Sequence, residues 1–338
     1  VLASILGLIA RRILVAVPIL MLVSMLLFVV LRLLPVDPAA MSLPPTATVA
    51  EIAAKRREMG LDRPLPQQYA IWLRDAMHGD FGRSNQLRRE AGALVAQTLP
   101  ATIELALTAM LVATVLGLSG GLLLFRVRGG WLEGAGDIAA TLMMSLPDFL
   151  WALLFILVFG VLLPVLPFMG RLGAGHTLPG GSGFLLLASL LAGRPDLFWD
   201  ALRHLILPAC ALGIAFAPPI MRVLRSSLLD VYEEDYIHHA RLRGVGEMRL
   251  LIGHALKNAI LPTLTLMGVQ FGFLFGGTLL IEIIFSYPGL GNLMVDAVRN
   301  ADLPVIQTVG LAYCVAVLVI STVVDSLYVV LNPRLRAR

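Results

Sequence analysis

The sequence predicts an all-α membrane protein with about six transmembrane helices. Two global observations point there: 58% of the 338 residues are hydrophobic while only 14% are charged, and the mean hydropathy is +0.86. A soluble domain carries about a quarter charged residues, so water is not the main solvent of this chain. The third observation is a series of six apolar runs. A helix rising about 1.5 Å per residue needs about 20 residues to cross roughly 30 Å of hydrocarbon, and each run approaches or exceeds that length.

The first run, Ile13 to Leu31, follows Arg11 and Arg12 and ends at Arg32, ahead of Pro35, Asp37 and Pro38. It is longer than the roughly 7 to 15 apolar residues of a signal peptide, and the Leu34-Pro35-Val36-Asp37 exit has no small-residue cleavage site. An uncleaved helix is therefore expected. Residues 1–34 thus form an N-terminal tail and first span, and residues 35–98 an insertion of soluble composition with mixed charges, Pro44, Pro45, Pro64 and Pro66. Short helices are expected in it at Glu51 to Met59 and Gln67 to Met77. Further spans follow at Leu99–Phe125, Ile138–Leu163, Leu205–Val223, Ile260–Phe285 and Val305–Leu331, making 99–331 a five-helix core, with 332–338 as a tail.

Lys and Arg set the orientation. Thirteen lie on the side of the two termini: Arg11 and Arg12, Arg126 and Arg128, six from Arg222 to Lys257, and Arg334, Arg336 and Arg338. The opposite short loops hold only Arg171, Arg194, Arg203 and Arg299. Both termini are expected in the cytoplasm, with the insertion facing outward. The isoelectric point near 9.4 does not imply nucleic acid, because the basic residues are scattered between apolar runs and form no aromatic-rich basic face. Cys210 and Cys314 both lie within apolar runs, as small buried side chains do, and suggest neither a disulfide nor a metal site.

Inside the spans, Gly268, Gly272 and Gly276 recur every four residues and predict a smooth ridge for close helix packing, a pattern repeated once by Gly117 and Gly121. Pro208, Pro218 and Pro219 are expected to bend or interrupt the fourth span. Four carboxylates fall within or beside apolar runs: Glu104, Glu282, Asp325 and, after Pro147, Asp148. Each costs on the order of 2.5 to 3.5 kcal/mol at a helix centre, so each needs a partner or water. Glu104, Glu282 and Asp148 are candidates for a pore or gate that contacts a charged solute; the alternative is structural pairing near the interface.

The most informative stretch lies between spans four and five, within residues 225–258. It reads Glu233-Glu234-Asp235-Tyr236-Ile237-His238-His239-Ala240-Arg241-Leu242-Arg243-Gly244, and later His254-Ala255-Leu256-Lys257-Asn258 before Pro262. Acidic residues open a short helix, basic residues close it, and Gly244 stands where a left-handed turn residue is expected. The spacing predicts helix, turn, helix.

The order of Glu234, Asp235, Tyr236, Ala240, Arg241, Gly244, His254, Asn258 and Pro262 resembles the cytoplasmic coupling motif of the dipeptide, oligopeptide and nickel ABC-importer permeases. The broader EAA motif of ABC importers is not kept, since its first Glu and Ala fall on His238 and His239, although Ala240 and Gly244 keep its spacing. The resemblance covers essentially the whole chain. It includes Leu34-Pro35-Val36-Asp37-Pro38, Leu61-Asp62-Arg63-Pro64 and His78-Gly79-Asp80-Phe81-Gly82 near the start. After span five it includes Phe285-Ser286-Tyr287-Pro288-Gly289-Leu290-Gly291, and near the end Val324-Asp325-Ser326-Leu327-Tyr328 and Asn332-Pro333-Arg334.

That resemblance implies a type I importer permease fold in the bacterial inner membrane, with an outward insertion after the first helix. It implies a second, homologous permease, two cytoplasmic ATPase subunits docked on the coupling loops, and an extracytoplasmic solute-binding protein, with lipid around the spans. No G-x-x-x-x-G-K-[ST] phosphate loop occurs in the chain, so ATP-Mg is expected on the partner ATPases and no cofactor on this chain. The expected cargo is a dipeptide or short peptide; the alternatives are a nickel chelate or another peptide-like solute and, more remotely, an ion-coupled carrier.

Overall fold

The computed structural model describes residues 2–33, 37–44, 46–173, 175–176 and 183–331. The expected tail 332–338, with Asn332-Pro333-Arg334, and the Leu34-Pro35-Val36 stretch lie outside the described residues.

Helix α1 (Leu2–Leu33) is the first span, apolar enough to cross a membrane over Ala10–Leu33. The insertion folds into α2 (Pro38–Met41), α3 (Val49–Glu58) and α4 (Leu65–Met77). Helix α3 starts at a capping box: the Thr48 hydroxyl accepts from the Glu51 amide, and the Glu51 carboxylate accepts from the Thr48 amide at 2.7 Å. Asp302 anchors the end of the insertion: its carboxylate accepts from the Ser84 hydroxyl and from the Asn85 amide at 3.2 Å.

Helix α5 (Ala91–Arg126) begins within the insertion as bounded from the sequence, so the 98/99 boundary falls inside a helix. The third span is also corrected. Instead of one run over Ile138–Leu163 there are two helices, α6 (Trp131–Ser145) and α7 (Asp148–Phe155), bent by 99° and followed by a π-helical stretch, Ile156–Leu162. Pro147 supplies the reason, because proline disfavours helical geometry in the residue before it, and Leu146 is extended at φ −94°, ψ 127°.

Helix α8 (Leu185–Leu191) precedes α9 (Pro195–Tyr232), which runs unbroken for 38 residues. The interruption expected at Pro208, Pro218 and Pro219 does not occur. Most of α9 is buried, and close packing against α5 holds it on the helical path. That packing depends on missing side chains: a Cβ on Gly117 would stand 2.6 Å from Ile220, and one on Gly121 2.9 Å from the Met221 carbonyl oxygen.

Helices α10 (Asp235–Leu242) and α11 (Glu247–Arg249) lead through a π-helical turn, Leu250–Ala255, into α12 (Leu256–Ile284). The chain returns by α13 (Leu290–Arg299) and α14 (Leu303–Leu331). Five helices, or six spans when α6 and α7 count as one, are long and apolar enough to cross a bilayer. The main core, built around Leu105, Leu205, Leu212, Phe275, Phe285 and Tyr287, lies where α5, α9 and α12 meet. The expected glycine ridge on α12 is uneven. Gly268 closes on Val324 of α14, Gly272 has only Val317 at 3.9 Å, and Gly276 has open space within 4 Å of its missing side chain.

Candidate functional site

Two regions hold the residues singled out from sequence. The first lies at the end of the bundle opposite the insertion. Helix α10 buries only Ile237 and Ala240, which pack among Phe125, Leu224, Leu228 and Leu250. Glu234, Asp235, Tyr236, His238, His239 and Arg241 are exposed around it, and Leu242 is 86% exposed. Its end is a Schellman turn: the Val245 amide donates to the Ala240 carbonyl at 3.2 Å and the Gly244 amide to the Arg241 carbonyl at 2.9 Å. Gly244 adopts φ +78°, and nothing lies within 4 Å of a Cβ placed there, so backbone conformation rather than space selects glycine.

The helix is braced from both sides. Asn258 Nδ2 donates to the Tyr236 hydroxyl at 2.8 Å, tying α12 to α10, and Arg241 pairs with Glu247 at 2.8 Å. From the end of α5, Phe125 meets Tyr232 edge-on at 4.6 Å between centroids, with the Arg128 guanidinium 4.3 Å from the Phe125 ring. His254 is exposed in the π-helical turn and hydrogen-bonds no side chain among the described residues. The result is a short, rigidly seated helix presenting charged and apolar side chains outward from the bundle.

Below this element, α9 is clamped to α6. Arg225 reaches Glu133 and Asp137, the latter at 2.8 Å, and Arg222 donates to Thr141 at 3.0 Å. Sequence reading counted both arginines only toward orientation. Their partners lie over eighty residues away, so no local signal marked them.

The second region lies at the insertion end. Glu282 is fully buried, and its carboxylate accepts from the Thr102 hydroxyl at 2.6 Å and from the Gly291 amide at 2.6 Å. The Thr102 oxygen in turn accepts from the Leu290 amide at 2.8 Å. Side chains of α5 and α12 thereby satisfy the first amides of α13, where no residue of α13 itself caps the helix. The Phe285-to-Gly291 segment follows from this arrangement, because a Cβ on Gly289 would collide with the Glu282 carboxylate.

Glu104 is paired: Arg171 donates to it at 2.5 Å and the Leu186 amide at 2.9 Å. Asp325 pairs with Arg12 between α14 and α1. Glu104 and Glu282 thus both have protein hydrogen-bond partners. Asp148 differs. It sits just after the 99° bend, partly exposed, accepts from the Phe149 amide at 2.8 Å, and forms no ion pair among the described residues. Its other oxygen would lie 3.3 Å from a Cβ on Gly277 of α12. Thr102, Arg171 and Gly277 were missed in sequence because a lone Thr or Gly in an apolar run reads as packing and Arg171 as loop charge, whereas Gly289 stood in the Phe285-to-Gly291 motif without a stated role.

One serine needs exclusion on geometry. Gly117-Leu118-Ser119-Gly120-Gly121 has the G-x-S-x-G spacing of a hydrolase nucleophile, but it lies inside α5, where Ser119 donates to the Val115 carbonyl of the preceding turn. A nucleophile elbow needs a sharp strand-to-helix turn.

A multi-span helical bundle with a broken third span, buried carboxylates at one end and a braced, charged helix projecting at the other defines a membrane permease. Residues 109–337 match the family described as binding-protein-dependent transport system inner membrane component, and residues 5–106 match the N-terminal region of such components. The chain belongs to this family, whose members work with ATPase and solute-binding partners.

Among its relatives, the di/tripeptide transport system permease protein DppB of Pseudomonas aeruginosa strain UCBPP-PA14 is 37% identical over 332 residues, 98% of this chain and 99% of that one. The glutathione transport system permease protein GsiC of Escherichia coli K12 is 36% identical over 326 residues, 96% and 97% of the two chains. The fold is shared with a chain of the inward-facing MetNI methionine ABC transporter at a TM-score of 0.55 and 17% identity, covering 71% of this chain and 96% of that one.

Proposed function

We propose that this chain is half of the translocation path of an ATP-driven importer of dipeptides or short peptides. It pairs with a second, homologous permease and receives cargo from an extracytoplasmic binding protein. The observation that carries the reading is α10. It is seated by Ile237, Ala240 and the Tyr236–Asn258 hydrogen bond, exposes Glu234, Asp235, Arg241 and Leu242, and ends on Gly244. This is the docking element for an ATPase subunit. The chain carries no ATPase site of its own, so two such subunits bind ATP-Mg, one on each permease. The excess of Lys and Arg at that end supports a topology with both termini and α10 in the cytoplasm and the insertion outside.

The peptide class rests on near full-length similarity to a di/tripeptide permease. Similarity at 36% to a glutathione permease favours a second reading in which the solute is glutathione, itself a modified tripeptide. Along the path Asp148, beside the bend and without an ion pair among the described residues, is the carboxylate that would meet a solute ammonium group, whereas Glu104 and Glu282 hold helices together.

The test is reconstitution of this chain with its co-purifying subunits in vesicles. Hydrolysis stimulated by loaded binding protein, together with uptake of labelled dipeptide, is expected. Uptake of glutathione but not dipeptide selects the second reading. Uptake by this chain alone, without ATPase subunits, overturns both.

A further inference from the structure

Between the insertion and the ends of α1 and α14 lies a cavity of about 180 Å³, lined by Phe28, Arg32, Trp72, Asp75, Asp80 and Gln307 among others. Its charges are not spent on one another. Arg32 forms no ion pair among the described residues, and its guanidinium stands 5.2 Å from the Phe28 ring centroid. Asp75 is bonded by Arg74 through Oδ1 alone, and Asp80 uses Oδ1 to accept from the Gly82 amide at 2.9 Å. Each keeps a second carboxylate oxygen.

Gln307 adds an independent sign. It is only 7% exposed, and its Nε2 has no hydrogen-bond partner. A buried donor left unpaired carries its full desolvation penalty, so the cavity favours a guest that brings an acceptor.

Directly adjoining is an apolar groove of about 650 Å³, lined by Met21 of α1, Leu73 and Met77 of α4, Val95 of α5 and Leu311 and Val315 of α14. Trp72 and Phe81 border both spaces. Along α1 the groove ends at Ser24 and the cavity begins at Phe28, one turn on; along α14 Gln307 lines the cavity and Thr308 the groove. A cavity with separated positive and negative groups, opening beside an apolar groove in the membrane-spanning part of the protein, has the layout of an amphiphile. Trp72 stands at the junction, where interfacial tryptophans are found.

We propose that the cavity and groove hold one phospholipid with a primary-ammonium headgroup. The phosphate lies against Arg32 and the Gln307 amide, the ammonium against Asp75 and Asp80, and an acyl chain fills the groove. The two carboxylates disfavour an anionic headgroup that lacks the ammonium. A free amino acid would supply the charge pair but leave the groove unfilled.

Native mass spectrometry of the purified permease, offered phosphatidylethanolamine or phosphatidylglycerol of the same acyl composition, tests this. Retention of one phosphatidylethanolamine per copy is expected, at least fivefold above phosphatidylglycerol. Asp75→Asn and Arg32→Met are each expected to cut that retention at least fivefold. Asp75 is partly exposed, so Asp75→Asn should leave the fold intact, with an unchanged melting temperature in lipid-free detergent as the control. Equal retention of the two lipids, or Asp75→Asn retaining as much as the parent, overturns the proposal. So do displacement of the lipid by free alanine and cross-linking of a second permease's helix to Leu311 in place of lipid.

Discussion

At Gly244 the left-handed backbone, rather than crowding, makes glycine necessary. Gly244→Val is therefore expected to cost about 1–2 kcal/mol locally, to loosen α10 and to leave ATP hydrolysis running without matching uptake. The ratio of hydrolysis to transport in vesicles measures this, and an unchanged ratio would remove Gly244 from the coupling path. At Glu282 the expected effect is structural: Glu282→Gln loses an acceptor for Thr102 or Gly291 and should lower stability by about 1–3 kcal/mol. Combined with Thr102→Val, the loss should be less than additive by at least about 0.5 kcal/mol in thermal unfolding, since both changes break one network. Additive losses would show two independent sites. Gly244 was legible from its place after a basic helix end, and Tyr236 and Asn258 were each legible from the motif. The pairing of Glu104 with Arg171 was not, because hydrogen bonds between residues 67 positions apart leave no local pattern.

Among the elements, the contact of α5 with α9 is the tightest test of packing. A Cβ on Gly117 would meet Ile220 and the Ala217 carbonyl oxygen, the latter at 3.0 Å, so Gly117→Ala is expected to destabilise by about 1–3 kcal/mol through overpacking. Gly276→Ala on α12 has open space and normal helical geometry, and should be neutral or stabilise by up to about 1 kcal/mol. Melting temperatures of the two variants side by side decide the matter; equal losses would contradict the packing described. The spans were legible as elements because a bilayer-crossing run of apolar residues has no alternative in a chain this poor in charge. Their ends were less so. Helix α5 extends back to Ala91 through Gln97, Thr98 and Pro100, Pro147 breaks a run that composition shows as continuous, and α9 stays one unbroken helix through three prolines, packed closely on α5.

Across the whole molecule, Arg225 links the α10 end of α9 to the bent span. Helix α9 runs from the insertion end down to α10, and Arg225 ties it to Glu133 and Asp137 of α6, whose continuation past the bend carries Asp148. Helix α10 packs on Leu224 and Leu228 of α9, next to Arg225, so α10, α9 and α6 form one run of contacts. Arg225→Glu is expected to lower uptake severalfold more than hydrolysis, and adding Glu133→Arg and Asp137→Arg should restore part of the coupling. No recovery in the triple variant would show that the ion pairs only stabilise the fold. The helix order at this scale was readable from the order of apolar runs. The clamp was not, because a loop arginine in sequence shows its sign and not its partner.

Helix α1 packs chiefly along α14, with α4 resting on it, and Arg12 finds its ion pair at Asp325, near the far end of the chain. The first and the last of the membrane-crossing helices described therefore dock against each other. Every other described span lies between Arg12 and Asp325 in the chain, so their ion pair can close only after those spans have been made.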